Sequence, residues 1–95
     1  MPFANPLARA FTPSSIRANA PALPGVYGIS NRREWIFIST SENIQGSLLN
    51  HLRTDASILD RAPSGFVFEV CYSETQGSRC ERLIREYDPV CNARG

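Results

Sequence analysis

The hydrophobic pattern of this chain changes period several times. Val26, Tyr27 and Ile29 lead into polar Asn31-Arg32-Arg33, and Trp35, Ile36, Phe37 and Ile38 follow. Two short runs rich in β-branched and aromatic residues around a polar turn predict a hairpin. Pro24-Gly25 opens it, at a point where a strand needs no donor from the proline. The period then becomes helical. Ile44, Leu48, Leu49 and Leu52 share one face of a helix expected from Glu42 to Arg53, with Ser41 as its N-cap. Gly46 inside that helix costs roughly 1 kcal/mol against alanine and points to close packing. Residues 54–63 have no single period, and Ile58 and Leu59 fit either a short helix from Asp55 or a loop over the core.

Strict alternation returns from Gly65 to Tyr72. Phe66, Phe68, Val70 and Tyr72 fall on one face and Val67, Glu69 and Cys71 on the other, as in a central strand with both faces largely apolar. Ser73 and Gln76 have capping-box spacing. The helix they open runs to Tyr87, with Cys80, Leu83, Ile84 and Tyr87 as its buried stripe and Arg79, Arg82 and Glu86 facing away. Pro89 ends it. Towards the N-terminus, residues 1–11 read as an irregular or disordered tail. Thr12-Pro13 reads as the start of a short helix to Ala18, stopped by Pro21. The expected organisation is an N-terminal tail with a short helix over 1–21 and one domain over 22–95. The expected fold class is α+β, a small three-stranded antiparallel sheet flanked by helices.

Composition changes this picture little. The 95 residues are 42% hydrophobic and 20% charged, in the range of a single globular domain. No apolar run is long enough to cross a bilayer and no signal-peptide pattern is present, so the expected location is cytoplasmic, without a membrane partner. A net charge of +1 supplies no global basic field. All ten basic residues are arginine, which suits bidentate phosphate contacts but also reads as compositional bias. The three cysteines, Cys71, Cys80 and Cys91, form neither a disulfide framework nor a CxxC metal knuckle, and read as small buried hydrophobes.

Gly25-Val26-Tyr27, followed about ten residues later by Phe37-Ile38-Ser39, resembles the paired signature of the GIY-YIG nuclease superfamily. The helix, strand and helix that follow, with Pro89 and Asn92 near the end, extend the resemblance over roughly residues 22–94. It implies a nuclease scaffold that hydrolyses phosphodiesters with one divalent metal, Mg2+ or Mn2+. Carried over residue by residue, Tyr27, His51 and Asn92 match the catalytic tyrosine, histidine and asparagine of the family. Phe37 stands at the second tyrosine, Ser47 at the arginine that balances the phosphate, and Cys80 at the metal-binding glutamate. Ser39 replaces the signature glycine. Serine and a thiol are poor substitutes in hard-metal and phosphate chemistry. Glu81 is the nearest carboxylate for a displaced metal site, although a helical step of about 100° turns it from the Cys80 direction. Arg53, Arg82 and Arg85 are the nearby arginines for a displaced charge.

Three functions follow as expectations. The first is a degenerate GIY-YIG module without efficient nuclease activity, binding nucleic acid, DNA above all, or a protein. The second is a divergent metal-dependent DNA endonuclease using Tyr27 and His51, with Glu81 or Glu86 on the metal. The third is a structural or interaction protein without a nucleic-acid role.

Overall fold

A computed structural model describes Phe3 and residues 8–92, apart from the side chain of Ser73. The expected hairpin is present as β2 (Gly25–Ser30) and β3 (Trp35–Ser41). Its turn is tied by Asn31, whose Oδ1 accepts from the backbone N–H groups of Arg33 at 2.8 Å and Glu34 at 2.9 Å. This is the local bonding that makes asparagine a turn former. The later strand, β4 (Gly65–Val70), pairs antiparallel with β2 on the side away from β3.

A fourth strand was not expected. Arg9–Ala10, here β1, pairs antiparallel with the start of β4, giving the order β1-β4-β2-β3. The described part of the N-terminal stretch is therefore ordered against the sheet rather than an irregular tail. Phe3 is buried and stacks on Trp35 and Tyr87, with ring centroids 5.8 and 5.9 Å apart. Neither contact leaves a local signature in the sequence, because both partners lie far along the chain. The other residues expected in the tail, 1, 2 and 4–7, lie outside the described residues.

The helices are α1 (Pro13–Asn19), α2 (Ile44–Thr54), α3 (Ala56–Leu59) and α4 (Ser73–Tyr87), followed by a 3-10 turn over Val90–Asn92. Thr12 caps α1, as expected. The cap of α2 is Asn43 rather than Ser41: its Oδ1 accepts from Gly46 N–H at 3.0 Å, so the helix begins two residues later than the pattern suggested. Ser41 instead accepts from Asn43 N–H at 2.9 Å, steadying the capping residue. A Cβ on Gly46 would lie 3.0 Å from the Asn43 amide, so this glycine leaves room for the cap. The capping box expected at Ser73 and Gln76 does not form. Tyr72 holds the N-cap position without a side-chain bond, and Gln76 is buried and donates to the Cys71 carbonyl at 3.0 Å. At the far end Asp88 takes a left-handed conformation, φ 49°, and Pro89 follows.

The sheet separates two apolar clusters. One holds Tyr27, Ile29 and Phe66 with Ile16 of α1, Ile44 and Leu48 of α2, and Ile58 of α3. The other holds Val26, Ile38 and Val67 with Cys80 and Leu83 of α4, and Phe3. Alternate residues of β2 and β4 serve opposite clusters, as strand geometry requires. Each large apolar side chain so buried contributes about 1.5–3 kcal/mol. Arg79 does not face away from this packing. Its guanidinium meets Glu69 of β4 with two bonds, at 2.6 and 2.8 Å, joining α4 to the sheet, and that bonding holds the arginine all the more firmly charged. No helix among the described residues is long and apolar enough to cross a membrane.

Candidate functional site

The face of the sheet covered by α2 gathers Tyr27, Phe37 and His51. Tyr27 projects from the central strand β2, next to Ser39 across the β2–β3 pair. His51 comes from the last turns of α2, and its Nε2 lies 2.6 Å from the Tyr27 hydroxyl. On its other side His51 Nδ1 lies 2.9 Å from Oδ2 of Asp55, four residues later. Asp55 also caps α3, its Oδ1 accepting from Ile58 N–H at 3.3 Å. One carboxylate therefore fixes a helix start and an imidazole together.

The proton positions follow from the partners. The Asp55 carboxylate can only accept, so Nδ1 carries the proton and Nε2 is left to accept from the Tyr27 hydroxyl. The result is a relay, Tyr27 to His51 to Asp55, along which the phenol can pass its proton to the imidazole while the carboxylate steadies the charge that forms. Burial pushes the Tyr27 phenol well above its ordinary value and outweighs the opposing effect of the Ser39 side chain. At neutral pH Tyr27 thus keeps its proton, shared in the bond to His51 Nε2. Phe37 closes one wall, its ring edge-on to His51 at 5.1 Å and tilted against Tyr27 at 6.3 Å. Asp55 was not singled out from the sequence, although its spacing of four residues from His51 is that of partners on one helical face.

The remaining site residues divide. Asn92 binds the backbone of Ile38 twice, accepting from its N–H at 2.7 Å and donating to its carbonyl at 2.9 Å. Its amide thus completes the open edge of β3 beside Phe37. Ser47 sits one turn before His51 on α2, its hydroxyl 2.6 Å from that of Ser41. Among the described residues Cys80 makes no bond to this group, although it lies near enough to add slightly to the rise of the Tyr27 phenol. It is buried on α4 in the cluster on the opposite face of the sheet, and no bond among the described residues joins it to His51. Burial, then the neighbouring Glu81 carboxylate, pushes its thiol up, so it remains protonated. Glu81 is exposed on α4, as are Glu86, Arg82 and Arg85, and Arg53 is exposed on α2.

A divalent magnesium-type ion wants several hard oxygen ligands. Among the described residues no three His, Cys, Asp or Glu side chains converge, and Cys80 is a buried thiol held in its protonated form. The donors present do not fit that ion.

No family model matches the chain. Two curated proteins, the excinuclease cho of Salmonella typhi and that of Salmonella typhimurium, are each 35% identical to it over 83 residues, or 81% of its length. The chain spans 28% of the length of those relatives. Among solved structures it superposes on the GIY-YIG N-terminal endonuclease domain of UvrC from Thermotoga maritima. A point mutant of that domain bound to its catalytic divalent cation gives a TM-score of 0.69 at 24% identity, covering 83% of this chain and 96% of that one. The same domain bound to magnesium gives 0.68 at 23%, covering 82% and 96%. The strand order, the two helix-covered faces and the hairpin bearing Gly25-Val26-Tyr27 agree with that likeness, and the fold of this chain is that of the GIY-YIG nuclease superfamily.

Proposed function

We propose that this chain is a GIY-YIG module that binds DNA without cutting it efficiently. The observation that carries this reading is the buried, protonated thiol of Cys80, at the residue that the resemblance aligns with the metal-binding carboxylate of the superfamily. Ser47 adds to it, because a hydroxyl paired with Ser41 offers no positive charge to a phosphate. The Tyr27–His51–Asp55 relay then serves to fix α2 and α3 on the sheet. DNA is favoured over a protein partner by the likeness to proteins described as an excinuclease and an endonuclease domain. A cytoplasmic location goes with this reading.

A second reading has one observation in its favour. The relay is complete and could serve acid–base chemistry in a divergent endonuclease, with Glu81 or Glu86 holding Mg2+ or Mn2+. One experiment separates the two. Purified protein is incubated with plasmid and with branched DNA at millimolar magnesium or manganese, and binding is followed in parallel. The expected outcome is salt-sensitive binding at low micromolar affinity with the DNA left intact. Metal-dependent cleavage that disappears in Tyr27→Phe would overturn the proposal and establish the second reading. Intact DNA with no binding at low salt would overturn both and leave a protein-binding module.

A further inference from the structure

The hairpin turn and the loop after α3 meet away from the relay, and arginines line the place where they meet. Asn31, Arg32 and Arg33 come from the turn, and Arg61, Ala62 and Ser64 from the loop, around a cleft of about 270 Å³. Two bonds hold the walls together: the Asn31 amide donates to the Arg61 carbonyl at 2.6 Å, and Ser64 N–H donates to the Ser30 carbonyl at 2.9 Å. The cleft is smaller than the roughly 300–1,000 Å³ of drug-sized ligand sites, and no large apolar residue lines it. It suits a single compact charged group.

Charge defines which sign. Three arginines line the cleft, and one of them, Arg61, is paired with a carboxylate, its Nη1 lying 3.8 Å from Glu34 Oε2. No bond among the described residues engages the side chains of Arg32 and Arg33, and both are exposed. Free, planar, permanently charged forks are matched to phosphate oxygens. The backbone has been bent to make the wall: Ala62 has a φ of 54°, in the left-handed region that residues with a Cβ rarely enter.

We propose that this arginine-lined cleft holds a backbone phosphate of DNA. The inference rests on the DNA-binding reading above and adds the place where the duplex is gripped. The spacing is compatible. Asn31 lies four residues beyond Tyr27, on the order of 13 Å along an extended strand at ~3.3 Å per residue. One DNA strand advances about 3.4 Å per phosphate, so the cleft and the relay face lie about four phosphates apart. This position also explains how a chain with a net charge of only +1 can bind a polyanion: the charge is local.

The test measures binding of a 5′-labelled 20-base-pair duplex by fluorescence anisotropy, with the dissociation constant followed against salt. The wild type is compared with R32A/R33A/R61A, with R32K/R33K/R61K, and with R82A/R85A on exposed α4. Each lost phosphate contact reduces the slope of log affinity against log salt by about 0.9. The alanine triple should lose about one such unit and bind at least ten-fold more weakly at low salt. The lysine triple should keep most of the slope, because it keeps the charge. R82A/R85A should match the wild type. Wild-type binding with an unchanged slope in the alanine triple would overturn the cleft while leaving the DNA-binding reading intact. No binding by the wild type would overturn both. All five substituted positions are exposed, and circular dichroism of each variant verifies the fold.

Discussion

Replacing Gly25 by alanine tests whether the glycine of the Gly25-Val26-Tyr27 motif serves the packing of the sheet. Gly25 opens β2 and pairs with Ser41 on one side and Val70 on the other. A methyl group added there would collide with the carbonyl oxygen of Glu69, and would lie 2.8 Å from Ile44 Cδ1 and 3.0 Å from Val70 Cα. Ile44 is fully buried, and the other two atoms belong to the backbone of β4, which cannot retreat without opening its ladder to β2. Overpacking of this kind costs about 1–3 kcal/mol when side chains can yield and more when backbone must. We expect about 3 kcal/mol or more. A domain of this length has about 5–14 kcal/mol in all, so the variant keeps half or less if the wild type is at the lower end. The melting temperature should fall by about 12–24 °C, at about 4–8 °C per kcal/mol. Urea unfolding followed by circular dichroism provides the free energy directly. Gly77 is the matched control: it lies exposed inside α4 with nothing within 4 Å of an added Cβ. Gly77→Ala should raise stability by about 0.5–1 kcal/mol. A Gly25→Ala variant within about 1 kcal/mol of the wild type would show that β4 yields freely, and would refute the packing account of the motif glycine.

Two further outcomes are expected. Asn92→Ala removes both bonds to the Ile38 backbone and should cost about 1–3 kcal/mol, with faster amide exchange at Ile38 measured by NMR; an unchanged exchange rate would show that the amide does not guard that edge. Stability should also fall as pH rises above about 9, because burial raises the Cys80 thiol and the Tyr27 phenol. The folded chain then keeps protons that the unfolded chain has released, so the slope is negative, first from the thiol and more steeply above about 10 from the phenol. Urea midpoints that stay level or rise between pH 8 and pH 10.5 would contradict it.

What could be read in the sequence was what is decided locally. The hairpin shows in the run from Val26 to Ile38, and α4 shows in the spacing of Leu83, Ile84 and Tyr87, because each element carries its own period. The start of α2 shifted because two adjacent polar residues compete for a cap, and only geometry shows that Asn43 wins while Ser41 supports it. Strand β1 and the burial of Phe3 were illegible, since they depend on pairing with β4 and stacking on Trp35 and Tyr87, all remote in the chain. For the site, the resemblance pointed to Tyr27 and His51, which the fold brings within 2.6 Å. It did not point to Asp55, whose role arises from where α2 gives way to α3. Nor did it separate Cys80 from that pair, because the helical stripe shows that Cys80 is buried but not on which side of the sheet.

The stack of Phe3 on Trp35 and Tyr87 gives the protein a built-in optical reporter. Trp35 is the only tryptophan, so its emission reads the environment of this one stack. The backbone bond from Phe3 N–H to the Tyr87 hydroxyl closes a loop across 84 positions of chain. Closing so long a loop costs about 4 kcal/mol of chain entropy from its length alone. Hairpin and helix formation need no such closure, so in refolding the helical signal should develop before the tryptophan signal reaches its native value. The interval between the two times the arrival of Phe3 on a sheet already built.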